Sequence, residues 1–339
     1  MDAAVIVTVY NKEKFLRDTL ESILTQKTSR PFCIILSDDG STDSSRQICA
    51  DYATRYPTIY DITDGEHRGV SGNFLHCLKY AISLNVKYIS QIDSDDILAD
   101  SAFLDRQISF LESNTDAQAA TSGFFLISEA DDLSSARRQF EEHTKGKTDS
   151  ASYKPILENC PDKSYGTISR GTQYLLSENN PLVAGGVTYR TDYLSSYLEE
   201  FASAEDSTQD LPLWLYLSLF GRFFSCSVQS LAYRNLSESV SRSQDLDSQL
   251  KFQASTLATR LRFINYLRAV GHLNQECIKC LDKLEDKVKL LYEKKMLRHY
   301  AKLQPKEYPA QLKKSLKKRP SLLFSKDLWR SLGVYLKNR

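Results

Sequence analysis

Apolar and polar residues alternate along the first part of the chain in blocks that repeat a strand followed by a helix. Residues 3–9 are a β-branched run, and the apolar residues within 14–26 recur at helical spacing. A second unit follows, with a strand at 32–36 and a helix at 44–56. Because repeated βα units bring their strands side by side, the pattern predicts a mostly parallel sheet flanked by helices.

The same pattern leads to a cluster of acids. After a helix at 71–84, the short apolar run 88–92 is followed directly by Asp93, Asp95 and Asp96. Open α/β sheets bind ligands at the carboxyl ends of their strands, so we expect these carboxylates at that edge. Oxygen ligands of this kind suit a hard divalent cation such as Mg²⁺ or Mn²⁺. A surface turn with acidic caps is the alternative interpretation.

The middle of the chain is less regular. Candidate strands lie at 119–127 and 183–189, and we expect the polar stretch between them to be an insertion that faces the acceptor or is mobile. The run 209–221 predicts a nearly buried helix, with Pro near its start and Gly at its end. A last strand is predicted at 223–233, and from about residue 246 the pattern is helical to the end.

Charge is distributed unevenly along the chain. The formal net charge is +1, but residues 279–339 hold 18 Lys and Arg against 6 Asp and Glu. We therefore divide the chain into a domain over residues 1–242 and a helical, basic extension over residues 243–339. Lysine pairs beside Leu and Trp predict basic amphipathic helices, and hence peripheral contact with an anionic membrane through residues 290–339. A helical cap with a solvated basic face is the alternative.

Cysteine usage and hydropathy limit the compartment. The seven cysteines are odd in number and scattered, which is typical of a reduced, cytoplasmic protein. The chain has no basic segment before an apolar stretch near its start, and no window approaches 18 apolar residues. We expect a cytoplasmic protein that contacts the inner face of the cell membrane peripherally. Nucleic acid is not expected as a partner, because only the tail is basic.

Four segments, taken in order, resemble the inverting nucleotide-sugar glycosyltransferases of family two, of the bacterial polysaccharide type. The segments are residues 5–16 with 22–26, Asp38-Asp39-Gly40-Ser41-Thr42-Asp43, Asp93-Ser94-Asp95-Asp96 and Gln209-Asp210-Leu211-Pro212-Leu213-Trp214. Each segment alone is a weak signal, whereas their order and spacing are specific. The resemblance covers residues 3–242 and implies the GT-A fold, which is a Rossmann-like, mostly parallel sheet flanked by helices, here with a C-terminal helical extension.

The resemblance also assigns roles on the donor side. It makes Asp95 the ligand of Mn²⁺ or Mg²⁺, in line with the oxygen preference of these ions. It implies substrate binding by six positions, which are Thr8, Tyr10, Asp39, Arg68, Asp93 and Ser94. In the family Asp39 would bind the base, Tyr10 would stack on it beside Thr8, and Arg68 would face the diphosphate. Plain strand packing for Thr8 and Tyr10, and a turn cap for Asp39, remain alternatives.

On the acceptor side the resemblance points to Asp210 as the general base. Single displacement with inversion needs a carboxylate that takes the proton of the acceptor hydroxyl. The family usually has Glu before this Asp, whereas this chain has Gln209, and Glu205-Asp206 is a competing acidic pair. The alternative is an acid that complements the helix dipole.

Two further segments are candidates for lining the cleft. Arg234, with Ser239 and Ser241, resembles the segment that closes over the diphosphate, although a solvated loop is an equal alternative. Residues 180–186 could border the acceptor, because glycine allows close approach.

The function implied is that of a metal-dependent glycosyltransferase of the hexosyltransferase type. It would move a sugar with inversion from a nucleoside-diphosphate sugar, expected to be a UDP-sugar, to a saccharide or lipid-linked saccharide in surface polysaccharide or glycan biosynthesis. The alternative is a decayed sugar-nucleotide-binding protein, in which Gln209 marks the lost activity and the tail recruits partners. A nucleotidyltransferase is disfavoured, because the chain has no Gly-rich N-terminal turn.

Overall fold

The computed structural model describes residues 1–144, 151–157, 169–178, 180–236, 245–270 and 274–338. The chain divides into two compact units. The first holds Met1–Lys163, Ser169–Thr172 and Asn180–Asn235, and the second holds Ser164–Ile168, Gln173–Asn179 and Leu236–Arg339.

An eight-stranded sheet forms the centre of the first unit. Its strands are β1 (Ala3–Val9), β2 (Phe32–Asp38), β3 (Ile59–Asp61), β4 (Tyr88–Gln91), β6 (Ala117–Thr121), β8 (Tyr153–Leu157), β9 (Val187–Arg190) and β10 (Arg222–Cys226). Their order is β3-β2-β1-β4-β9-β6-β10-β8. The first four are parallel, as are β6 and β10, whereas β9 and β8 run antiparallel to their neighbours. The expected mostly parallel sheet is thus confirmed.

Three short strands form a second sheet in the same unit. They are β5 (Ile97–Leu98), β7 (Phe124–Ile127) and β11 (Leu231–Arg234), in the order β5-β11-β7. The described helices of this unit are α1 (Leu16–Leu24), α2 (Ser45–Arg55), α3 (Gly69–Ser83), α4 (Phe103–Ser113), α5 (Leu133–Thr144), α7 (Leu194–Glu200) and α8 (Asp210–Leu217). A further helix, α6 (Arg170–Ser177), has its first three residues in the first unit and the others in the second.

The core of the first unit follows from the apolar pattern of its first βα unit. Val5 and Val7 on one face of β1, and Ala4 and Ile6 on the other, are fully buried, as expected for a parallel strand covered on both faces. Leu16, Leu20 and Ile23 recur at helical spacing on α1 and pack in the same cluster as these valines. The sheet edge that carries the loops after β1, β2 and β4 is therefore supported by a buried apolar core.

Two of the predicted strands were wrong as single elements. The stretch 119–127 is divided into β6 and β7, and the stretch 223–233 into β10 and β11, so each stretch passes from the large sheet to the small one. The break in the first stretch falls at Gly123, where a Cβ would lie 2.8 Å from Cγ of Gln229. Only a residue without a side chain fits this approach of the two chain segments.

The second unit is helical, as expected for the C-terminal part of the chain. Its elements are α9 (Leu246–Val270), α10 (Gln275–Leu303), α11 (Tyr308–Lys318), a 3₁₀ turn (Pro320–Phe324) and α12 (Lys326–Asn338). Leu297, Ala301, Tyr308, Leu322 and Leu328 form a buried cluster that joins α10, α11, the turn and α12. Among the helices of the described ranges, none has the length and apolar character needed to cross a membrane.

Candidate active site

The loops that follow β1 and β2 are tied to each other at the carboxyl edge of the large sheet. Asn11 has a positive φ of 52°, and its Oδ1 accepts a hydrogen bond from the Thr42 amide at 2.8 Å. The Asn11 amide donates to Ser41 Oγ at 2.8 Å, and the Lys12 amide donates to Ser45 Oγ at 2.7 Å. Asparagine tolerates the left-handed conformation better than most residues, so the sequence suits this turn. The two loops therefore form one hydrogen-bonded surface, which we call the wall after β1 and β2.

Asp39 lies on this wall and is buried. Its amide donates to the carbonyl of Val9 at 2.8 Å, which fixes the end of β2 against the end of β1. His67 Nδ1 is 3.1 Å from Asp39 Oδ2, and the ring of His67 lies 5.4 Å from the ring of Tyr10. Tyr10 is 49% exposed, whereas Thr8 is a β1 residue paired with Ser37 of β2. An open aromatic face beside a buried carboxylate can bind a nucleobase by stacking and hydrogen bonding.

Arg68 is attached to the same wall by its backbone. Its amide donates to Asp39 Oδ1 at 2.6 Å, while its guanidinium pairs with Asp64 and Glu66, the latter at 2.7 Å. In this conformation the Arg68 guanidinium is paired with these two carboxylates of the loop before α3. The role of Arg68 at the diphosphate stays a prediction.

The acidic run after β4 forms a turn in which the Asp96 amide donates to the Asp93 carbonyl at 3.0 Å. Asp95 Oδ2 pairs with Lys12 Nζ at 2.7 Å, across 83 positions of sequence. Burial, together with the charges of Asp95 and Asp210, raises the pKa of Asp93 to about 7. Ser94, between the two acids, is buried. The turn thus concentrates negative charge at the sheet edge, and the Lys12 ammonium offsets part of it.

Asp96, the last acid of the run, has a structural role. Its Oδ1 accepts the amide of Arg234 at 2.8 Å, and burial raises its pKa well above the usual range. The buried Arg234 guanidinium donates to the carbonyls of Asp95, Ser128 and Asp131 at 2.9, 2.9 and 2.7 Å. Arg234 therefore ties β11 to the acidic turn. Ser239 and Ser241, predicted to continue this segment, lie outside the described residues.

Asp210 is the first residue of α8, and its charge acts on Asp93 of the acidic turn. Its Oδ2 accepts a hydrogen bond from Asn180 Nδ2 at 2.7 Å, and its Oδ1 accepts the amide of Leu211 at 2.8 Å. Burial raises the pKa of Asp210 above its usual value. Gln209 donates from Nε2 to Asp93 Oδ1 at 3.4 Å, and its side chain does not cap the helix. The helix N-terminus and the β4 turn thereby meet.

Residues 180–186 approach the acids from a third direction. Asn180 holds Asp210, as described, and Gly185 lies so near Asp96 that a Cβ there would be 3.2 Å from Asp96 Oδ2. Of the competing pair, Glu205 is exposed and Asp206 is buried, and the charges that act on Asp93 include that of Asp210. The geometry favours Asp210 as the acid facing the β4 turn.

The carboxylates of the acidic turn are candidate ligands of a divalent cation. Within the described ranges, no group of three or more His, Cys, Asp or Glu side chains could hold a metal by itself. Mg²⁺ and its relatives are commonly bound by one or two carboxylates together with substrate phosphates and water. Asp95 and Asp93 supply that number. Burial and then the charge of Asp95 raise the pKa of Asp93, and a bound cation would favour its ionised form. The residues therefore fit a cation that arrives with a diphosphate.

Lys12, Gln209 and Asn180 were not predicted from the sequence as contacts of the acids. The sequence places Lys12 in the loop after β1, close to the predicted site, but its partner Asp95 lies in another loop. A single sequence does not reveal that pairing.

Solved structures with low sequence identity share the fold of this chain. S. aureus TarS 1-349 in complex with UDP matches with a TM-score of 0.54 at 16% identity, covering 100% of this chain and 91% of that one. The mannosyltransferase PcManGT from Pyrobaculum calidifontis, in complex with GDP-Man and Mn²⁺, matches with a TM-score of 0.50 at 12% identity, covering 99% and 86%. At these identities the likeness concerns the fold, which is GT-A-like.

The sequence comparison assigns the family. Residues 4–170, about half of the chain, match the family model described as Glycosyl transferase family 2. The chain belongs to glycosyl transferase family 2, and the predicted resemblance to this family is confirmed, whereas inversion stays a prediction.

Two curated relatives come from Bacillus subtilis. The putative glycosyltransferase EpsE is 33% identical over 127 residues, which are 37% of this chain and 44% of EpsE. The minor teichoic acid biosynthesis protein GgaA is 37% identical over 101 residues, which are 29% of this chain and 22% of GgaA. The matched stretches thus span less than half of each relative.

Proposed function

We propose that the protein transfers a sugar from a nucleoside-diphosphate sugar, with UDP as the expected nucleotide, to a hydroxyl of a saccharide or lipid-linked saccharide, with inversion, in surface polysaccharide biosynthesis. The observation that carries this proposal is the contact between Gln209 and Asp93, which brings Asp210 to the acidic turn across 116 positions of sequence. The UDP bound by one structural neighbour, and the biosynthetic role named for GgaA, support the substrate class.

The donor half of the cleft would bind the nucleotide through the wall after β1 and β2. In this proposal Tyr10 stacks on the base, Asp39 accepts a hydrogen bond from it, and Thr8 lies beneath. Asp95 would hold a divalent cation, with Asp93 and Ser94 beside it. When bound, Mn²⁺ or Mg²⁺ would offset the charge that develops on the departing diphosphate. Lys12 would have to leave Asp95, which frees an ammonium next to the phosphates.

The acceptor half would rely on Asp210. Burial raises its pKa and therefore makes it a stronger base, and the contacts from Asn180 and the Leu211 amide fix the orientation of its carboxylate. Asp210 would take the proton of the acceptor hydroxyl while the oxygen forms the new bond to C1 of the sugar. The bond from C1 to the diphosphate breaks on the opposite face, its electron pair leaves with the diphosphate, and the anomeric configuration inverts.

The test is release of nucleoside diphosphate from a panel of nucleotide sugars in the presence of Mn²⁺ and candidate saccharide acceptors. Asp210→Asn should lower kcat by about 10²- to 10⁴-fold, because general-base catalysis contributes that much, while UDP binding persists. Asp51→Asn is the matched control, since Asp51 lies on α2 and its carboxylate accepts an exposed hydrogen bond from Gln47. Product NMR reports the anomeric configuration. Unchanged turnover in Asp210→Asn would exclude Asp210 as the base.

The decayed-site alternative rests on Gln209, and the same experiment separates it. A binding protein would hold UDP at the wall after β1 and β2 but turn over none of the donors, and Asp210→Asn would then have no rate to change. Chelation gives a second distinction, because EDTA should abolish transfer if the cation at Asp95 is required. Transfer that survives EDTA would exclude a required metal from the mechanism, while the proposed role of Asp210 as general base would stand.

A further inference from the structure

The last helix of the second unit, α12, is fixed on its own core by one face. Leu328 and Ser331 are buried, and Ser331 Oγ shares a hydrogen bond of 2.9 Å with the hydroxyl of Tyr308. The rings of Tyr308 and Tyr335 stack at 4.9 Å. These contacts set which side of α12 is covered by the unit and which side is not.

The uncovered side is a stripe of mixed character. All its members are exposed, and we call them the α12 stripe: Lys326, Trp329, Arg330, Gly333, Leu336 and Lys337. At about 100° per residue they occupy an arc of about 120°. Trp329 and Leu336 are 62% and 63% exposed and lie two turns apart on one edge of the arc, while the three cations follow its other edge. Leu323, in the 3₁₀ turn before α12, is exposed as well.

The composition of the stripe favours one kind of occupant. A tryptophan and a leucine in a row beside cations match the interface of a bilayer, where indole rings sit at the headgroups and cations meet anionic lipid. The stripe itself contains no acid. Asp327 borders it and is engaged by Lys294 at 3.2 Å and Arg330 at 3.4 Å.

Two other occupants fit less well. A second copy of the stripe would place three cations against three cations, which is unfavourable without intervening acids. A nucleic acid would pair with the cations but would leave the aliphatic Leu336 against phosphates. Proteins that bind single-stranded nucleic acid combine stacking aromatic side chains with a wider basic surface than this stripe offers.

We propose that the α12 stripe docks the protein on the surface of an anionic bilayer, with the helix axis in the plane of the interface, Trp329 and Leu336 at the acyl boundary, and Lys326, Arg330 and Lys337 at the headgroups. This inference narrows the basic region expected between residues 290 and 339 to one face of one helix. It concerns the second unit alone, so a vesicle assay tests it whether or not the transfer reaction is found.

The experiment compares two charge variants of the full chain with the same loss of charge. The stripe variant is Lys326→Gln/Arg330→Gln/Lys337→Gln, and the control changes three exposed α11 lysines in Lys313→Gln/Lys314→Gln/Lys317→Gln. Partition onto phosphatidylcholine vesicles with phosphatidylglycerol is measured at low salt, with pure phosphatidylcholine as reference. Each cation near the surface contributes about fivefold, so the stripe variant should lose about 100-fold. The α11 control should lose no more than about fivefold.

An apolar variant isolates the second part of the stripe. Trp329→Ser/Leu336→Ser should lower partition by about tenfold or more, because both side chains leave water on docking, whereas Ile278→Ser, at an exposed apolar site of α10, should not. Trp329 also reports directly, since the other tryptophan, Trp214, is fully buried in the first unit. Fluorescence should shift to the blue on anionic vesicles and be quenched by brominated lipid.

Several results would overturn the proposal. They are no partition onto anionic vesicles, equal losses in the stripe and α11 charge variants, or unshifted Trp329 fluorescence on vesicles that do bind the protein. A stripe variant that changes the oligomeric state, without a change in vesicle binding, would assign the face to a second copy. Binding of RNA that depends on the stripe while vesicles are ignored would assign it to nucleic acid.

Discussion

Replacing Lys12 with Met should tighten the binding of Mn²⁺ to the protein in the absence of any nucleotide. Lys12 Nζ lies 2.7 Å from Asp95 Oδ2, with the two side chains 27% and 18% exposed. The ammonium thus occupies the carboxylate that we assign to the metal. A cation that binds Asp95 must first break this ion pair, so Lys12 acts as a competitor for the site.

The size of the effect follows from the geometry. At 2.7 Å and an effective dielectric constant of about 20, the direct attraction is about 6 kcal/mol. Desolvation of both groups cancels most of it, and a hydrogen bond to a charged group contributes about 1.5–3 kcal/mol net. Removing the competitor should return that amount to the metal. The expected gain in Mn²⁺ affinity is therefore about 10- to 150-fold.

The assay is titration of Mn²⁺ followed by electron paramagnetic resonance of the free ion. Lys14→Met is the matched control, because Lys14 is two residues away and its Nζ lies 3.6 Å from the exposed Glu129 in a surface pair. Surface pairs of this kind contribute about 0–1 kcal/mol and Glu129 is not a proposed ligand, so Lys14→Met should bind Mn²⁺ within about twofold of the unaltered protein. Mn²⁺ binding that is equal or weaker in Lys12→Met would refute the competition.

Two further predictions concern stability. Arg234→Met should lower the free energy of unfolding by about 3–5 kcal/mol in denaturant titrations, because it leaves buried carbonyls of the acidic turn and of the loop after β7 without their donor. The control Arg222→Met loses a partly exposed ion pair with Asp116 and should cost about 1 kcal/mol or less. Equal costs in the two variants would contradict the structural role of Arg234. In EDTA, Asp93→Asn should stabilise the protein more at about pH 8 than at about pH 5, by roughly 2–3 kcal/mol. The sign follows because the folded-state pKa of Asp93 is raised from 3.8 to about 7. The stability that protonated Asp93 contributes is complete below pH 3.8 and is lost as the pH rises through about 7. A stabilisation by Asp93→Asn that is the same at both pH values would contradict this prediction.

The sequence predicted the parts of the fold that depend on local pattern. The strand at 3–9 coincides with β1, and the amphipathic α1 follows it, because each signal lies within one stretch of chain. The division of 119–127 into two strands depends instead on the approach of Gly123 to Gln229, which lie far apart in sequence. A continuous apolar run does not reveal such a contact, so the predicted single strand was wrong.

The same distinction holds in the candidate site. The acids after β4 were found because a strand that ends in carboxylates is a local signal. Their different partners were not predicted, since Asp95 pairs with Lys12 whereas Asp96 is buried and accepts the amide of Arg234. Adjacent residues of one turn thus enter different environments. Periodicity predicts which face of a strand is buried, but it does not predict which loop supplies the partner of a charged group.

Gln209 is where the chain departs from the family pattern, and its contact bears on whether the site is active. A Glu at this position would place another carboxylate 3.4 Å from Asp93, whose pKa is already raised by neighbouring charges. Gln offers an N–H donor to the same oxygen and so lowers the repulsion without adding charge. Asp210 keeps its own partners, Asn180 and the Leu211 amide, and neither depends on the Gln209 side chain. Because the departure leaves the proposed base and its orientation unchanged, Gln209 by itself does not argue for a decayed site.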